Sequence, residues 1–203
     1  MTERATPVVQ FWFDPICPWT WITSRWVSEV AELRGFEVEW NPFSLAVLNE
    51  GSDAGDHAEG QRQGHRMGQV LTAARASHGG RAIADLYTAL GNRLHPAERT
   101  DVDAVIAESL AEAGLPAELS VAADSGEHEA ELVASTRRGI ELVGPGVGIP
   151  IIAIDGIAFF GPVISPAPHG EDALTLWDGV RAAASIPGFF ELKRGREIGP
   201  QFN

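Results

Sequence analysis

The first 43 residues switch between strand-like and helix-like spacing of apolar positions. Residues 8–13 form a run rich in β-branched and aromatic side chains that ends at Asp14-Pro15, which predicts a buried strand. Apolar residues then recur at helical spacing over residues 18–34 and stop at Gly35, and residues 36–43 alternate between apolar and polar. This order predicts a right-handed βαβ unit with parallel strands.

The middle of the chain predicts only helices. Residues 51–65 are polar and glycine-rich, which indicates a linker or mobile loop. Helical spacing follows, and the predicted segments are 61–78, 80–94, 101–113, 116–124 and 127–143. Gly114 and Gly144 stand where glycines commonly end helices.

After Gly148 the pattern returns to strands. Residues 150–154 and 157–160 flank Asp155-Gly156, which predicts a hairpin with a tight turn. Residues 171–184 predict a last helix, and the tail from Phe189 is expected to be irregular.

Without the helical block, the predicted elements are two parallel strands joined by a helix, then an antiparallel hairpin and a helix. This is the topology of thioredoxin. We therefore predict an α/β, thioredoxin-like fold with an all-helical insertion. The predicted thioredoxin-like domain comprises residues 1–56 and 141–203, and the predicted helical insertion domain comprises residues 57–140.

Composition narrows the class of protein. The formal net charge of −13 argues against binding to nucleic acid or to anionic membranes, and 44% hydrophobic and 21% charged residues are typical of a globular protein. A single cysteine excludes an internal disulfide and favours a reducing compartment. The N-terminus lacks a signal-peptide pattern and no apolar stretch has the length of a spanning helix, so we expect a cytoplasmic location.

The cysteine, Cys17, lies just after the first predicted strand, and Pro18 suits the first position of the following helix. Free N–H groups and the helix dipole at such a position stabilise an anion. We therefore expect a lowered pKa and a nucleophilic thiolate. The alternative is an inert cysteine buried in the core.

Three other residues are candidates for the same site. Thr20 could donate a hydrogen bond to the Cys17 thiolate, or could simply bond to its own backbone. Trp19 could form an exposed platform for a ligand, whereas Trp12, Trp21 and Trp26 are expected in the core. Asn49 follows the second strand and could orient a ligand, or could cap a turn.

Ile149 and Pro150 begin the third strand, which this topology places beside Cys17. A cis bond between them is expected to leave the backbone of Ile149 available to a substrate, and the alternative is a trans strand start. The six histidines form no metal-binding motif, so we expect no metal site, and His95 is expected to end a helix as a favourable positive charge.

The stretches FWFDPICPWTWITSRW, SLAVLNE, LYTALGNRLH, VGIPII, IAFFGPV and FFELKR…QF resemble the DsbA-like thioredoxin-fold family. The resemblance is strongest to the actinobacterial mycothiol-dependent reductases of the nitroreductase type. It implies a nucleophilic Cys17, a cis-proline at Pro150, no tightly bound cofactor, and mycothiol or another low-molecular-weight thiol as cosubstrate. That branch carries C-P-W-C, and this chain has Thr20 in place of the second cysteine.

Without a second cysteine, the expected activity is a monothiol cycle. Cys17 attacks a mixed disulfide or an electrophile, and a second small thiol releases it. One alternative is a thiol S-transferase or isomerase of the kappa glutathione-transferase type, in which the bound cofactor thiol attacks the substrate. Another is a non-catalytic module that binds a thiol or an extended peptide. The sequence leaves the oligomeric state, including a homodimer, open.

Overall fold

The computed structural model describes residues 6–51 and 55–203, and these residues form one mixed sheet packed against helices. The strands are β1 (Val9–Phe13), β2 (Val38–Pro42), β3 (Ile151–Ile154) and β4 (Ile157–Phe160), in the order β2-β1-β3-β4. Strands β1 and β2 are parallel, whereas β3 is antiparallel to both β1 and β4. The predicted α/β arrangement is therefore confirmed.

The helices in this part of the chain are α1 (Pro18–Arg34), α2 (Leu45–Leu48), α3 (Ala58–Leu94), α4 (Val102–Glu112), α5 (Ala122–Ser125), α6 (Glu129–Val143) and α7 (Gly170–Ala184). Helices α3 to α6 lie between α2 and β3 in the sequence. Among the described helices, none has the length and apolarity needed to cross a bilayer.

Two of the predicted helical segments differ from the structure, and the break predicted between two others is present. Helix α3 begins at Ala58, three residues before the helix predicted from residue 61 and inside the stretch expected to be a linker, because Glu59 pairs locally with Arg62 and Gln63 and supports an exposed polar helix. Residues 52–54 of that linker lie outside the described residues. The break expected between 78 and 80 occurs at Gly79, whose φ of 84° interrupts α3. The segment 116–124 is a 3₁₀ turn (Ala117–Val121) that continues into α5.

The β3–β4 hairpin follows from its two turn residues. Asp155 and Gly156 both have positive φ, 53° and 88°, which matches a type I′ turn and the twist of the flanking strands. The Asp155 carboxylate also accepts the Val8 N–H at 3.0 Å, and this bond fixes the turn against the start of β1.

The sheet separates two hydrophobic clusters. Alternate residues of β1 and β3 (Val9, Phe11, Phe13, Ile152 and Ile154) face the larger cluster, which α1, α3 and α7 complete. Trp12, Ile151 and Ala153 face a smaller cluster that contains Cys17 and receives Ile140 and Val143 from α6. The sequence candidate Cys17 therefore belongs to the smaller cluster.

The contact between α1 and α3 depends on a glycine. Gly91 of α3 lies against the Trp21 indole, and a Cβ at this position would approach Trp21 Cζ3 to 2.1 Å. The same indole packs edge-on against Tyr87 and stacks on His95. The indole therefore has little room to move away from a larger residue.

We expect Gly91→Ala to lower the free energy of unfolding by about 3 kcal/mol, since overpacking against a confined ring forces backbone shifts. Gly179→Ala is the matched control, because Gly179 is exposed inside α7 and its Cβ would meet nothing within 4 Å. The control should gain up to about 1 kcal/mol from helix propensity. Urea unfolding of both variants measures the difference, and equal stabilities would contradict the close approach.

Candidate functional site

Cys17 is the N-cap residue of α1, in the turn that connects the helix to β1. Its backbone N–H donates to Asp14 O at 3.0 Å, its carbonyl accepts the Trp21 N–H at 3.0 Å, and Pro18 occupies the first helical turn. The β-region backbone of Cys17 is typical of an N-cap. The strand-to-helix geometry expected for this residue is therefore present.

The thiol itself is shielded from solvent. Cys17 is 8% exposed and packs with Trp12, Phe43 and Ile149, while the partly buried Trp19 and Leu48 contact the same cluster. Burial raises the pKa of the Cys17 thiol, and the nearby Asp14 charge raises it further. The lowered pKa expected from the helix start is therefore not found, because desolvation outweighs the stabilisation that the N-terminus supplies.

Thr20 is the side chain that most favours the Cys17 thiolate. Its hydroxyl is the largest influence that lowers the thiol pKa, followed by the backbone N–H groups of Thr20 and Trp19. The Thr20 hydroxyl is fully buried and completes no hydrogen bond within the described chain. It thus lies close to the sulfur with an unused donor, in the arrangement that a thiolate would complete.

The remaining predicted site residues do not all belong to the Cys17 cluster. Ile149 packs in the Cys17 cluster, and the Ile149–Pro150 peptide bond is cis. Asn49 ends α2 and donates its backbone N–H to Leu45 O, one residue after Leu48, which does reach the cluster. The structure thus brings Cys17, Trp19, Thr20 and Ile149 together and leaves Asn49 at the edge of this group.

Sequence reasoning missed the buried carboxyl group of Asp14. Its Oδ1 accepts the Ile16 N–H at 3.0 Å and its Oδ2 accepts the Leu45 N–H at 2.8 Å, so it joins the Cys17 turn to α2. Burial raises the pKa of Asp14 to about 6, although both hydrogen bonds and His65 lower it. An aspartate at the end of an otherwise apolar run, three residues before the cysteine, was the available signal.

His95 also acts differently from its predicted role. It does end α3, but it is buried, stacks on Trp21, and donates from Nε2 to the Pro15 carbonyl at 2.9 Å. Burial lowers the pKa of His95 to about 4. The histidine is therefore neutral near pH 7 and supports the turn before Cys17, rather than providing a positive charge at a helix end.

A partly buried chain of hydrogen bonds holds α2 in place. The Ser44 hydroxyl accepts the Val47 N–H and lies 2.9 Å from His65 Nδ1, and His65 Nε2 donates to Glu129 at 2.7 Å. With its proton on Nε2, the His65 ring can accept a hydrogen bond from the Ser44 hydroxyl at Nδ1. Helices α3 and α6 thereby fix the start of α2, which carries Leu48 to the Cys17 cluster.

No group of three or more His, Cys, Asp or Glu side chains could hold a metal ion within residues 6–51 and 55–203. The site that the structure presents is therefore built from one thiol, one hydroxyl, one carboxyl and the backbone around them. These groups are suited to nucleophilic sulfur chemistry, in which the thiolate attacks and the hydroxyl stabilises its charge.

Comparisons with known proteins agree with this chemistry. A family model described as "mycothiol-dependent nitroreductase Rv2466c" matches residues 16–194. The uncharacterized protein Rv2286c of Mycobacterium tuberculosis (strain ATCC 25618 / H37Rv) is 31% identical over 193 residues, which cover 92% of this chain and 81% of that protein.

Solved structures support the fold. Chlamydia trachomatis DsbA superposes with a TM-score of 0.59 at 11% identity, over 91% of this chain and 91% of that one. A 2-hydroxychromene-2-carboxylate isomerase superposes with a TM-score of 0.57 at 14% identity, over 86% of this chain and 94% of that one. The predicted DsbA-type fold is therefore confirmed.

The contribution of Asp14 to stability depends on pH, because the pKa of its carboxyl group is raised in the folded protein. This contribution is fully present below the ordinary pKa of 3.8 and decreases as the pH rises towards 6, because the unfolded chain loses its proton first. We expect the difference in unfolding free energy between wild type and Asp14→Asn to fall by about 3 kcal/mol between pH 3 and pH 7. Urea unfolding across this range measures it, and a constant difference would contradict the buried-acid assignment.

Thr20→Val tests the hydroxyl at nearly constant volume. We expect the rate of Cys17 alkylation by iodoacetamide at pH 7.5 to fall roughly five- to ten-fold, because a charge-assisted hydrogen bond is lost. Thr20→Ser, which keeps the hydroxyl, should react at nearly the wild-type rate. The unfolding free energy of Thr20→Val should not fall, because no other group loses a partner. Equal alkylation rates in all three proteins would show that the hydroxyl does not act on the sulfur.

Proposed function

The chain belongs to the mycothiol-dependent nitroreductase family represented by Rv2466c, and within this group of thiol oxidoreductases we propose that it works through a single thiol. Cys17 is the only cysteine in the sequence, so no internal disulfide can form during turnover. The proposed activity is reduction of mixed disulfides, with mycothiol or a similar small thiol as the electron donor.

The observation that carries this proposal is the arrangement around the sulfur. Cys17 begins α1, and the influences that favour its thiolate are the Thr20 hydroxyl and two backbone N–H groups. Thr20 occupies the place where the related motif has a second cysteine, so it can stabilise a charge but cannot displace a disulfide. Each adduct on Cys17 must therefore be released by a thiol from solution.

The proposed cycle balances with two thiol–disulfide exchanges. In the first, the Cys17 thiolate attacks one sulfur of a mixed disulfide, a new S–S bond forms, and the other sulfur leaves as a thiolate with the bonding electrons. In the second, the thiolate of a free small thiol attacks the sulfur attached to Cys17 and regenerates the enzyme. When Cys17 attacks the sulfur that belongs to the small thiol, the net reaction converts the mixed disulfide and one free small thiol into the substrate thiol and the disulfide of two small thiols.

Cys17 has to lose its proton before the first step, and its raised pKa makes this loss unfavourable. Burial and the Asp14 charge both oppose ionisation, so a reactive encounter has to strengthen the stabilising contacts. The unused Thr20 donor and the N–H groups of Trp19 and Thr20 can do this when negative charge develops on sulfur. Trp19 and Ile149, which border the sulfur, are the proposed contacts for the thiol ligand, together with Pro18, Pro150 and Asn49.

A second candidate function is supported by the same buried hydroxyl. In a thiol S-transferase or isomerase, Thr20 would stabilise the thiolate of a bound cofactor, and that thiolate would attack the substrate. The unpartnered Thr20 donor fits either sulfur. The two functions differ in their need for Cys17, since only the monothiol cycle forms a covalent bond to it.

Intact-mass measurement distinguishes them. Reduced protein is incubated with mycothiol disulfide and, separately, with glutathione disulfide, and Cys17→Ser is the matched control. We expect one adduct per chain on the wild type, none on Cys17→Ser, and complete reversal by free mycothiol. Absence of an adduct from a folded wild-type protein would contradict the monothiol cycle. Turnover retained by Cys17→Ser would support the transferase.

A further inference from the structure

The C-terminal tail, residues 189–203, is irregular but is attached beside the site. The Ser165 hydroxyl donates to Gly199 O at 3.0 Å and accepts the Gln201 N–H at 2.9 Å. The Asn203 side-chain amide donates to Ala167 O at 3.1 Å. The last residues of the chain are therefore held against the loop between β4 and α7.

Two side chains of the tail reach residues that flank Cys17. The Phe202 ring lies 5.5 Å from the ring of His95, the histidine that binds the Pro15 carbonyl. The Arg196 guanidinium carbon lies 4.7 Å from the centroid of the Trp19 ring. The tail thus contacts His95, which supports the turn before Cys17, and Trp19, which lies two residues after Cys17.

Arg196 lies over the Trp19 ring, and its N–H donors remain open. It is exposed and forms no ion pair or hydrogen bond with any residue in the described ranges. By contrast, Arg66, Arg93 and Arg99 each pair with two carboxylates. A guanidinium stacked on an aromatic ring can still bind a carboxylate through its edge.

The charge of the rest of the chain gives this cation a particular importance. The tail contains Lys193, Arg194 and Arg196 against Glu191 and Glu197, a net charge of +1, so the other 188 residues carry −14 of the total −13. A strongly negative body repels small anions. An open guanidinium over Trp19, which packs against the Cys17 cluster, provides a local attraction that the body lacks.

We propose that Arg196 is a specificity-determining residue that favours disulfides and electrophiles with a carboxylate close to the reacting atom. This inference rests on the proposed function of Cys17 as the attacking thiolate. The family match ends at residue 194, so Arg196 lies beyond the matched part of the chain. The carboxylate binds the guanidinium edge while Cys17 attacks sulfur, and the second sulfur leaves as a thiolate.

Two aromatic disulfides test the charge preference. 5,5′-Dithiobis(2-nitrobenzoate) carries a carboxylate on each ring, whereas 4,4′-dithiodipyridine is neutral near pH 7, and both release a coloured thiol when Cys17 attacks. The second-order rate constants are measured for wild type, Arg196→Ala and Arg196→Lys. Arg194→Ala is the matched control, because it removes the same charge two residues away without a contact to Trp19.

We expect Arg196→Ala to lower the ratio of the anionic to the neutral rate constant roughly three- to ten-fold, an effect typical of one charge contact near a surface. Arg196→Lys should restore part of the ratio, and Arg194→Ala should change it little. The wild-type ratio should also fall at high salt.

The outcomes separate this inference from the proposed function. If wild-type protein reacts with neither reagent while it is folded, the attacking role of Cys17 fails. If wild type reacts with both and Arg196→Ala keeps the wild-type ratio, the specificity role of Arg196 fails and the attacking role stands. If Arg194→Ala lowers the ratio of the anionic to the neutral rate constant as much as Arg196→Ala does, the preference for anionic disulfides comes from the general charge of the tail. This result would overturn the role of Arg196.

Discussion

The arrangement of the site depends on one buried carboxylate. Asp14 accepts a hydrogen bond from the turn that precedes Cys17 and another from the first residue of α2. These bonds join segments that lie 31 residues apart in sequence and that meet at the end of the two parallel strands. Asp14 is fully buried, so desolvation of its carboxylate costs free energy. The hydrogen bonds from both backbone donors are needed to offset this cost.

The Asp14 carboxylate organises the turn before Cys17, but its charge opposes ionisation of the Cys17 thiol. Its charge, added to burial, raises the pKa of the Cys17 thiol, and only Thr20 and nearby N–H groups oppose this effect. The resting site therefore favours a protonated thiol that is protected from indiscriminate reaction. In the proposed monothiol cycle, reaction of Cys17 would therefore depend on a ligand that stabilises the thiolate, which would link selectivity to binding.

The fold could be predicted from the sequence pattern, whereas the electrostatics of the site could not. The βαβ unit, the Asp155-Gly156 hairpin and the position of Cys17 follow from local periodicity and turn chemistry, and the structure and family match confirm the class. The pKa of Cys17 and the neutral state of His95 depend on burial by residues distant in sequence. Residues 58–60 extend the helix predicted from residue 61, through local side-chain pairs of Glu59 that the polar composition of this stretch does not reveal.

Helix α3 contacts the turn before Cys17 at two places. Near its start, Gly64 leaves room for the Asp14 carboxylate, since a Cβ there would approach Oδ1 to 2.5 Å. At its end, His95 binds the carbonyl of the next residue, Pro15. Loss of this helix would leave a buried acid and a turn carbonyl without their enclosure. An insertion or deletion between Gly64 and His95 would shift one of the two contacts relative to the other, so the length of α3 is tied to the position of the Cys17 turn.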